Sequence, residues 1–368
     1  MSQQQLEEIT DNNFGTEGDH LLEVENFRTW FNTPRGQLRA VDGVTMTLDR
    51  GKTLGVVGES GSGKSVLIRS IMKILPGTAI QMGDIRFEGK SLSKMPKKET
   101  RKLFGNDISM VLQDPMTSLN PVVKIGRHIT ESLTYHLGIS KDAAYQRALS
   151  LLNDVGIPEP KRRLAQYPYE MSGGMRQRVT IAIALACDPK LLLADEPTTA
   201  LDVTVQQQIL DLLLNLQRDR NMGMILVTHD LGVVAGRADE IAVMYAGHIV
   251  ERAPTKVLFR EMRHPYAEAL VRSIPRIEYT SHTRMQAIPG RPPTVIDPPP
   301  GCQFAPRCRY AQEKCITETP PLMPTTTPGH DHACWFPVGT PEGEAALERN
   351  LRSGTTAAGR SLMQEEVA

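Results

Sequence analysis

The segment at residues 58–65 combines the residue types that bind a polyphosphate. Its sequence, GESGSGKS, fits the pattern G-x-x-x-x-G-K-[ST] and lies between a strand-like run, TLGVV, and a run with helical spacing. Glycines let backbone amides curve around phosphate oxygens, and the following helix points its N-terminus at the anion. Lys64 can reach the β- and γ-phosphates, and the Ser65 hydroxyl can bind Mg²⁺. The predicted phosphate contacts are those of Gly58, Ser60, Gly61, Ser62, Gly63, Lys64, Ser65 and Val66.

Two acidic residues follow an apolar run in LLLADEP, residues 191–197. At the end of a buried strand, Asp195 would hold Mg²⁺ as the acidic partner of Ser65. Glu196 would face the other way and polarise the attacking water. Taken alone, this segment is equally typical of a strand closed by an acidic turn. For GESGSGKS, the alternative of a glycine turn before an ordinary helix is disfavoured by the matching strand and helix context. Together they predict hydrolysis of a nucleoside triphosphate.

Three more segments occur in a fixed order around these two. They are VLQDP with Gln113, SGGMRQR at residues 172–178, and VTHD with His229. A serine before two glycines at a helix start offers a hydroxyl and unobstructed amides to an anion. By themselves, Gln113 would be a surface residue in a turn and His229 a structural histidine. Their order relative to the phosphate loop favours a functional role.

The five segments together resemble the nucleotide-binding subunit of ATP-binding-cassette (ABC) transporters, over about residues 21–275. The resemblance implies that His229 contacts the γ-phosphate and that Glu196, His229 and Gln113 form the catalytic set. It implies Mg²⁺ binding through Ser65, Gln113 and Asp195. It also implies a dimer, in which the following residues act on the ATP of the opposite subunit: Ser172, Gly173, Gly174 and, in the loop 199–202, Asp202. Met175 stands where the family has glutamine, so a side-chain contribution from that position is lost.

An aromatic residue from the first strands is expected to stack on adenine. Phe31 is the first candidate and Trp30 the second. The alternative is that both rings pack in the core.

The C-terminal part narrows the resemblance. HPYAEALVRSIP, PGRPP and GCQFAPRC are similar to segments of oligopeptide/dipeptide importers of the peptide/nickel group. That likeness implies a related, non-identical second cassette, two transmembrane permease subunits and an extracytoplasmic solute-binding protein. It places the chain at the cytoplasmic face of the inner membrane. The expected function is ATP-driven uptake of di- or oligopeptides.

Other functions remain open at this stage. They are import of nickel or another peptide-like solute, a non-transport ATPase switch, and a nucleotide-binding structural subunit. Switches of this class commonly carry two cassettes or a long coiled coil, whereas the phosphate loop occurs once here. The motif residues required for turnover are all present. Lys plus Arg and Asp plus Glu each number 42, so no net charge favours nucleic acid as a partner.

Four cysteines crowd the C-terminal fifth of the chain with gaps of five, six and eighteen residues: Cys302, Cys308, Cys315 and Cys334. Four thiolates suit Zn²⁺ or a [4Fe–4S] cluster. The absence of C-x₂-C pairs favours the iron–sulfur cluster, in a structural role, while zinc, free thiols and disulfides remain alternatives. Cys187 is expected to be a small core residue.

These motifs require an α/β fold of the P-loop NTPase type, because short apolar runs alternate with helical patterns. We expect a disordered segment 1–20, an ABC ATPase domain 21–275 with a helical insert at about 115–170, a Pro/Cys-rich extension 276–340 and a flexible tail 341–368. No apolar run approaches the ~20 residues of a bilayer span. The polar, acidic N-terminus does not resemble a secretory signal.

Overall fold

A computed structural model of the chain describes residues 20–199, 201–274, 288–298 and 300–362. The predicted disordered segment therefore lies almost wholly outside the described residues. The strands are β1 (Leu22–Thr33), β2 (Gly36–Leu48), β3 (Thr53–Val57), β4 (Ala79–Phe87), β5 (Lys90–Ser91), β6 (Ile108–Val111), β7 (Leu191–Asp195), β8 (Gly223–Thr228), β9 (Glu240–Tyr245), β10 (His248–Pro254), β11 (Met323–Pro324) and β12 (Asp331–His332).

The helices follow the amphipathic segments of the sequence. They are α1 (Lys64–Ile71), α2 (Lys97–Leu103), α3 (Pro115–Ser118), α4 (Ile125–Leu137), α5 (Lys141–Asp154), α6 (Pro160–Leu164), α7 (Gly173–Ala184), α8 (Val203–Asp219), α9 (Leu231–Val234), α10 (Thr255–Glu261), α11 (Pro265–Arg272), α12 (Glu313–Thr317) and α13 (Pro341–Ser353). Short 3₁₀ turns cover Pro168–Glu170 and Ala305–Arg307. Within the described residues, no helix is both long and apolar enough to cross a bilayer.

The central sheet has the strand order β11-β12-β10-β9-β3-β8-β7-β6. Five consecutive strands that end at the β6 edge, β9, β3, β8, β7 and β6, pair in parallel. Along β7, Leu191 and Leu193 join one hydrophobic cluster while Leu192 joins another, so both faces of the sheet are covered. This confirms the predicted α/β class. Because the strands are parallel, their carboxyl ends meet at one edge, where ligands bind in open α/β sheets.

A second, four-stranded sheet is antiparallel, in the order β2-β1-β4-β5. It packs through one cluster with the helix α1 and the central strands, and that cluster includes Phe27, Val41, Leu67 and Val227. Helices α3 to α6 lie between β6 and β7 in the chain. Ile129 and Leu133 of α4 are fully buried in a separate cluster with α5 and α7.

The C-terminal extension is built onto the cassette. Strand β12 pairs with β10 through Glu251↔His332 and Arg252↔Asp331, so it lengthens the central sheet. Phe304 and Tyr310 are buried in the same cluster as residues of β8 and β9. Residues 275–287, at the predicted start of the extension, lie outside the described residues.

The structure differs from the flexible tail predicted for residues 341–368. Residues 341–353 form α13, which Thr340 caps by accepting a hydrogen bond from Gly343 N at 3.2 Å. The Asn350 amide donates to the carbonyl oxygens of Arg309 at 2.9 Å and Ala311 at 3.0 Å. A threonine N-cap and a following proline are ordinary helix-start signals, and docking onto the extension stabilises the helix. Residues 363–368 lie outside the described residues.

Candidate nucleotide-binding site

In the phosphate loop between β3 and α1, Gly58 and Gly63 have no space for a side chain. Gly63 has φ 104°, and a Cβ there would lie 2.1 Å from the Ala40 carbonyl oxygen. A Cβ on Gly58 would lie 2.1 Å from the Met244 carbonyl oxygen. Neither position admits a side chain unless the backbone moves. The loop therefore keeps its amides unobstructed, as a phosphate cradle requires.

Lys64 is buried and folds back over this loop. Its Nζ donates to the carbonyl oxygens of Gly58 at 2.7 Å and Glu59 at 3.0 Å. Burial lowers the pKa of Lys64, and the carboxylates of Glu196, Asp195 and Glu59 partly offset that effect. The ammonium group thus lies where phosphate oxygens could replace the carbonyl oxygens as its partners.

Ser65 and Asp195 meet at the ends of their elements. The Ser65 hydroxyl donates to Asp195 Oδ1 at 2.7 Å, and Arg69 lies 3.4 Å from Oδ2. Burial raises the pKa of the Asp195 carboxyl, whereas the hydrogen bond from Ser65 and the charge of Arg69 lower it. A hydroxyl and a carboxylate side by side are hard oxygen ligands that fit Mg²⁺.

Glu196 is the centre of a second cluster at the same edge. Its Oε2 accepts hydrogen bonds from Gln113 Nε2 at 3.2 Å and Thr199 Oγ1 at 3.0 Å, and lies 3.3 Å from His229 Nδ1. Glu196 has φ 44°, a strained conformation for a residue with a side chain, of a kind that clusters at functional sites. Gln113, Glu196 and His229 are therefore brought together as the motifs predict. Thr199 was predicted only as part of the loop 199–202 at the dimer interface and not as a partner of Glu196; its position three residues after Glu196 could have indicated this contact.

The serine–glycine turn lies apart from this cluster. Ser172 caps α7, its hydroxyl accepting a hydrogen bond from Met175 N at 3.4 Å, and Ser172 and Gly173 are exposed. Asp202 caps α8 in the same way and is exposed as well. Among the described residues, no hydrogen bond or ion pair joins Ser172, Gly173, Gly174 or Asp202 to the phosphate loop. Contact of these residues with the nucleotide of a second protomer stays a prediction.

The two candidate aromatic residues differ in their surroundings. The Trp30 ring is covered by the Arg39 guanidinium, 5.0 Å from the ring centroid. Phe31 is half-buried and pairs in register with Leu38 and Ala79. Adenine stacking on Phe31 stays a prediction.

The four C-terminal cysteines line one cavity together with aromatic rings, among them Phe304, Trp335 and Phe336. All four are free thiols. Burial raises the pKa of each, to about 11 for Cys302. Among the described residues, no group of three or more His, Cys, Asp or Glu side chains is arranged to hold a metal ion.

The fold and the site define an ATP-binding cassette: a phosphate loop after one parallel strand, an acidic pair after another, and a helical insert between them. The ABC transporter family model matches residues 41–199. The model of the oligopeptide/dipeptide transporter C-terminal region matches residues 250–315. The chain therefore belongs to the ABC transporter family, among the ATP-binding proteins with an oligopeptide/dipeptide transporter C-terminal region, which confirms the family indicated by the motifs.

Relatives and solved structures agree with this assignment. The oligopeptide transport ATP-binding protein OppD of Bacillus subtilis is 51% identical over 305 residues, covering 82% of this chain and 85% of that protein. OppD of Haemophilus influenzae is 47% identical over 316 residues, covering 86% and 97%. The dimeric cassette MJ0796 in a post-hydrolysis state, bound to ADP and Pi, superposes with a TM-score of 0.58 at 26% identity, covering 64% of this chain and 98% of that one.

Proposed function

We propose that this chain is the ATP-hydrolysing subunit of a membrane importer and energises uptake of di- or oligopeptides. The observation that carries the enzymatic part is the Glu196 carboxylate, oriented by Gln113 and Thr199 beside the Ser65–Asp195 pair. The substrate class rests on the C-terminal region and on relatives named for oligopeptide transport.

Each protomer supplies only part of the site. The loop amides and Lys64 hold the phosphates, and Ser65, Asp195 and Gln113 would hold Mg²⁺, which neutralises charge on the β- and γ-phosphates when bound. Glu196 orients the attacking water and accepts its proton, and His229 contacts the γ-phosphate. The exposed turn of Ser172, Gly173 and Gly174 caps the ATP of a second, related cassette, with Asp202 at the interface. The exposure of the turn in one protomer supports this arrangement.

ATP-driven closure of the two-cassette dimer is coupled to the membrane subunits through a surface beside Gln113. Large apolar side chains are exposed there and in the helical insert: Leu112, Met116, Val122 and Tyr169. Exposed apolar patches mark interaction sites. Two transmembrane permease subunits dock on this surface, which places the chain at the cytoplasmic face of the membrane. An extracytoplasmic binding protein delivers the solute to those subunits.

Replacement of Glu196 by Gln tests the enzymatic assignment. The variant is expected to keep ATP affinity and to lose turnover by about 10²–10⁴-fold, because the amide cannot accept a proton. ATP binding and phosphate release are measured on the assembled transporter. Glu99→Gln, an exposed change on α2, is the matched control and should hydrolyse ATP normally. Wild-type turnover by Glu196→Gln would remove Glu196 as the base.

The substrate class has its own test. In the complex reconstituted with its permeases, hydrolysis should rise when binding protein loaded with a peptide is added. Stimulation by nickel-loaded binding protein, with none by peptides, would instead assign the importer to nickel.

The cysteine cavity is part of the same proposal: it holds a [4Fe–4S] cluster in a structural role. Three buried thiols and the half-buried Cys302 resist ionisation, and the positive charge of a cluster would stabilise the thiolates. A cluster binds one thiolate at each iron, whereas a single zinc ion draws all four to about 2.3 Å. What supports the proposal is that all four cysteines line one cavity.

Removal of one ligand checks this part. Cys315→Ser should lose bound iron, sulfide and the brown colour of anaerobically purified protein. Cys187→Ser is the matched control, because Cys187 lies in a different hydrophobic cluster and should leave iron content unchanged. Stoichiometric zinc, or no metal, in the wild-type protein would overturn the cluster.

A further inference from the structure

Glu59 is the second residue of the phosphate loop and carries a carboxylate next to the phosphate cradle. Its backbone N–H donates to the Tyr266 hydroxyl at 2.7 Å, which fixes the start of the loop against α11. Like charges at short range repel, so an unpaired carboxylate here would oppose the binding of a triphosphate. The loop therefore needs a cation in addition to Lys64.

That cation comes from the C-terminal extension. Arg307 Nη1 lies 2.5 Å from Glu59 Oε2, and Nη2 lies 2.9 Å from Oε1, so the pair is bidentate. The guanidinium is almost fully buried, with 4% of the side chain exposed. Arg307 Nε also donates to the Pro289 carbonyl oxygen at 2.9 Å, and Nη1 lies 3.3 Å from the Tyr245 hydroxyl. Partners on several sides fix the orientation of the guanidinium.

The extension also packs on the loop itself. Pro292, Pro293 and Val295 line a small void together with residues 59–62 of the loop. Val295 is held in turn by its carbonyl oxygen, which accepts a hydrogen bond from Arg39 N at 2.9 Å. The loop is thus in contact with a segment more than two hundred residues further along the chain.

We propose that Arg307 is a positioning residue of the nucleotide site: it neutralises Glu59 and holds the phosphate loop, so that the C-terminal extension sets the affinity for ATP. Arg307 acts through Glu59 and does not contact the phosphates. The inference rests on ATP binding at this loop and is independent of the transported solute. Because Cys308 lines the cysteine cavity and follows Arg307 directly, the position of Arg307 depends on the conformation of the chain around that cavity.

A pair of substitutions separates this role from a purely structural one. Arg307→Gln leaves the Glu59 carboxylate uncompensated, so affinity for a nonhydrolysable ATP analogue should fall by about tenfold. Glu59→Gln/Arg307→Gln removes both charges and should recover affinity to within about threefold of wild type. Removal of one partner of a buried ion pair can also destabilise the fold, and a second deletion would repair that defect as well. Denaturant unfolding of the same variants therefore shows whether affinity falls while the protein stays folded. Calorimetric titration of the full chain measures these affinities.

Arg309→Gln is the matched control, because the Arg309 guanidinium lies over the Tyr310 ring and not at the loop. It should bind the analogue as the wild type does. Wild-type affinity in Arg307→Gln, or no recovery in the double variant, would overturn the proposal.

Glu59→Gln alone gives a result even where Arg307→Gln does not fold. It leaves the guanidinium charge unpaired beside the loop, and analogue affinity should rise by about threefold and fall more steeply with salt. Unchanged or weaker affinity would count against the proposal. If wild-type protein binds the analogue yet fails to hydrolyse ATP, the proposed function fails while this inference stands.

Discussion

The phosphate loop and the C-terminal extension both hold charged groups at low exposure, but they arrange them differently. Around the loop, Lys64 bonds only backbone carbonyl oxygens, and burial lowers its pKa. Where the extension joins the central sheet, the fully buried Glu251 of β10 accepts hydrogen bonds from Arg263 N and His264 N at 2.7 Å each, and pairs with His330 of the extension at 2.8 Å. The charge of Lys64, which is to bind phosphate, thus lowers the free energy of unfolding. The charge of Glu251 is paired within the protein and stabilises the fold.

Substitution of Lys64 should have the largest effect, because it should greatly weaken ATP binding and leave the free energy of unfolding nearly unchanged. Lys64→Met removes the ammonium, so ATP affinity should fall by at least about a hundredfold. Because the pKa of Lys64 is lowered, its charge lowers the stability of the nucleotide-free protein at neutral pH. The free energy of unfolding should therefore stay within about 1 kcal/mol of wild type, or rise. Calorimetry and denaturant unfolding measure the two quantities.

Lys102→Met, an exposed change on α2, is the control and should alter neither quantity. If Lys64→Met unfolds the protein, the Lys64 charge stabilises the fold as Glu251 does, and the difference between the two regions is contradicted.

Glu251 should show the opposite behaviour. Glu251→Gln turns one of the accepting oxygens into a donor that faces backbone N–H groups. The loss of stability should be about 2–4 kcal/mol, since a buried donor is left without an acceptor. Thermal unfolding checks this value. An unchanged unfolding temperature would show that the network is not structural.

Replacement of Glu240 should have the smallest effect on the unfolding temperature, and it is the comparison for Glu251→Gln. Glu240 is on the neighbouring strand β9 and pairs with Arg252 at 2.7 Å, with 37% of its side chain exposed. Surface ion pairs contribute less than about 1 kcal/mol, so Glu240→Gln should shift the unfolding temperature little. A loss as large as that of Glu251→Gln would show that burial is not what separates the two carboxylates.

Much of the nucleotide site was accessible from the sequence. The motif residues Ser65, Asp195, Gln113, Glu196 and His229 lie at the carboxyl edge of the parallel strands, as their positions after apolar runs predict. Local patterns suffice here because each residue lies at the end of a strand or in the loop and helix start that follow it. The prediction of a flexible tail at residues 341–368 was wrong for Pro341–Ser353, which form a helix. Thr340 and Pro341 carry a helix-start signal, but the helix gains its stability from docking onto the extension.

By itself, the sequence determined the α/β class, the phosphate loop and the acidic pair, because glycine spacing and strand ends act over a few residues. Only the tertiary structure decided that Arg307 neutralises Glu59, that Thr199 helps orient Glu196, and that the four cysteines surround one cavity. Such contacts join segments far apart in the chain or depend on the path of a loop. The contacts of Arg307 and of the cysteines form only when the extension packs onto the sheet, and the Thr199 contact depends on the backbone path after Glu196.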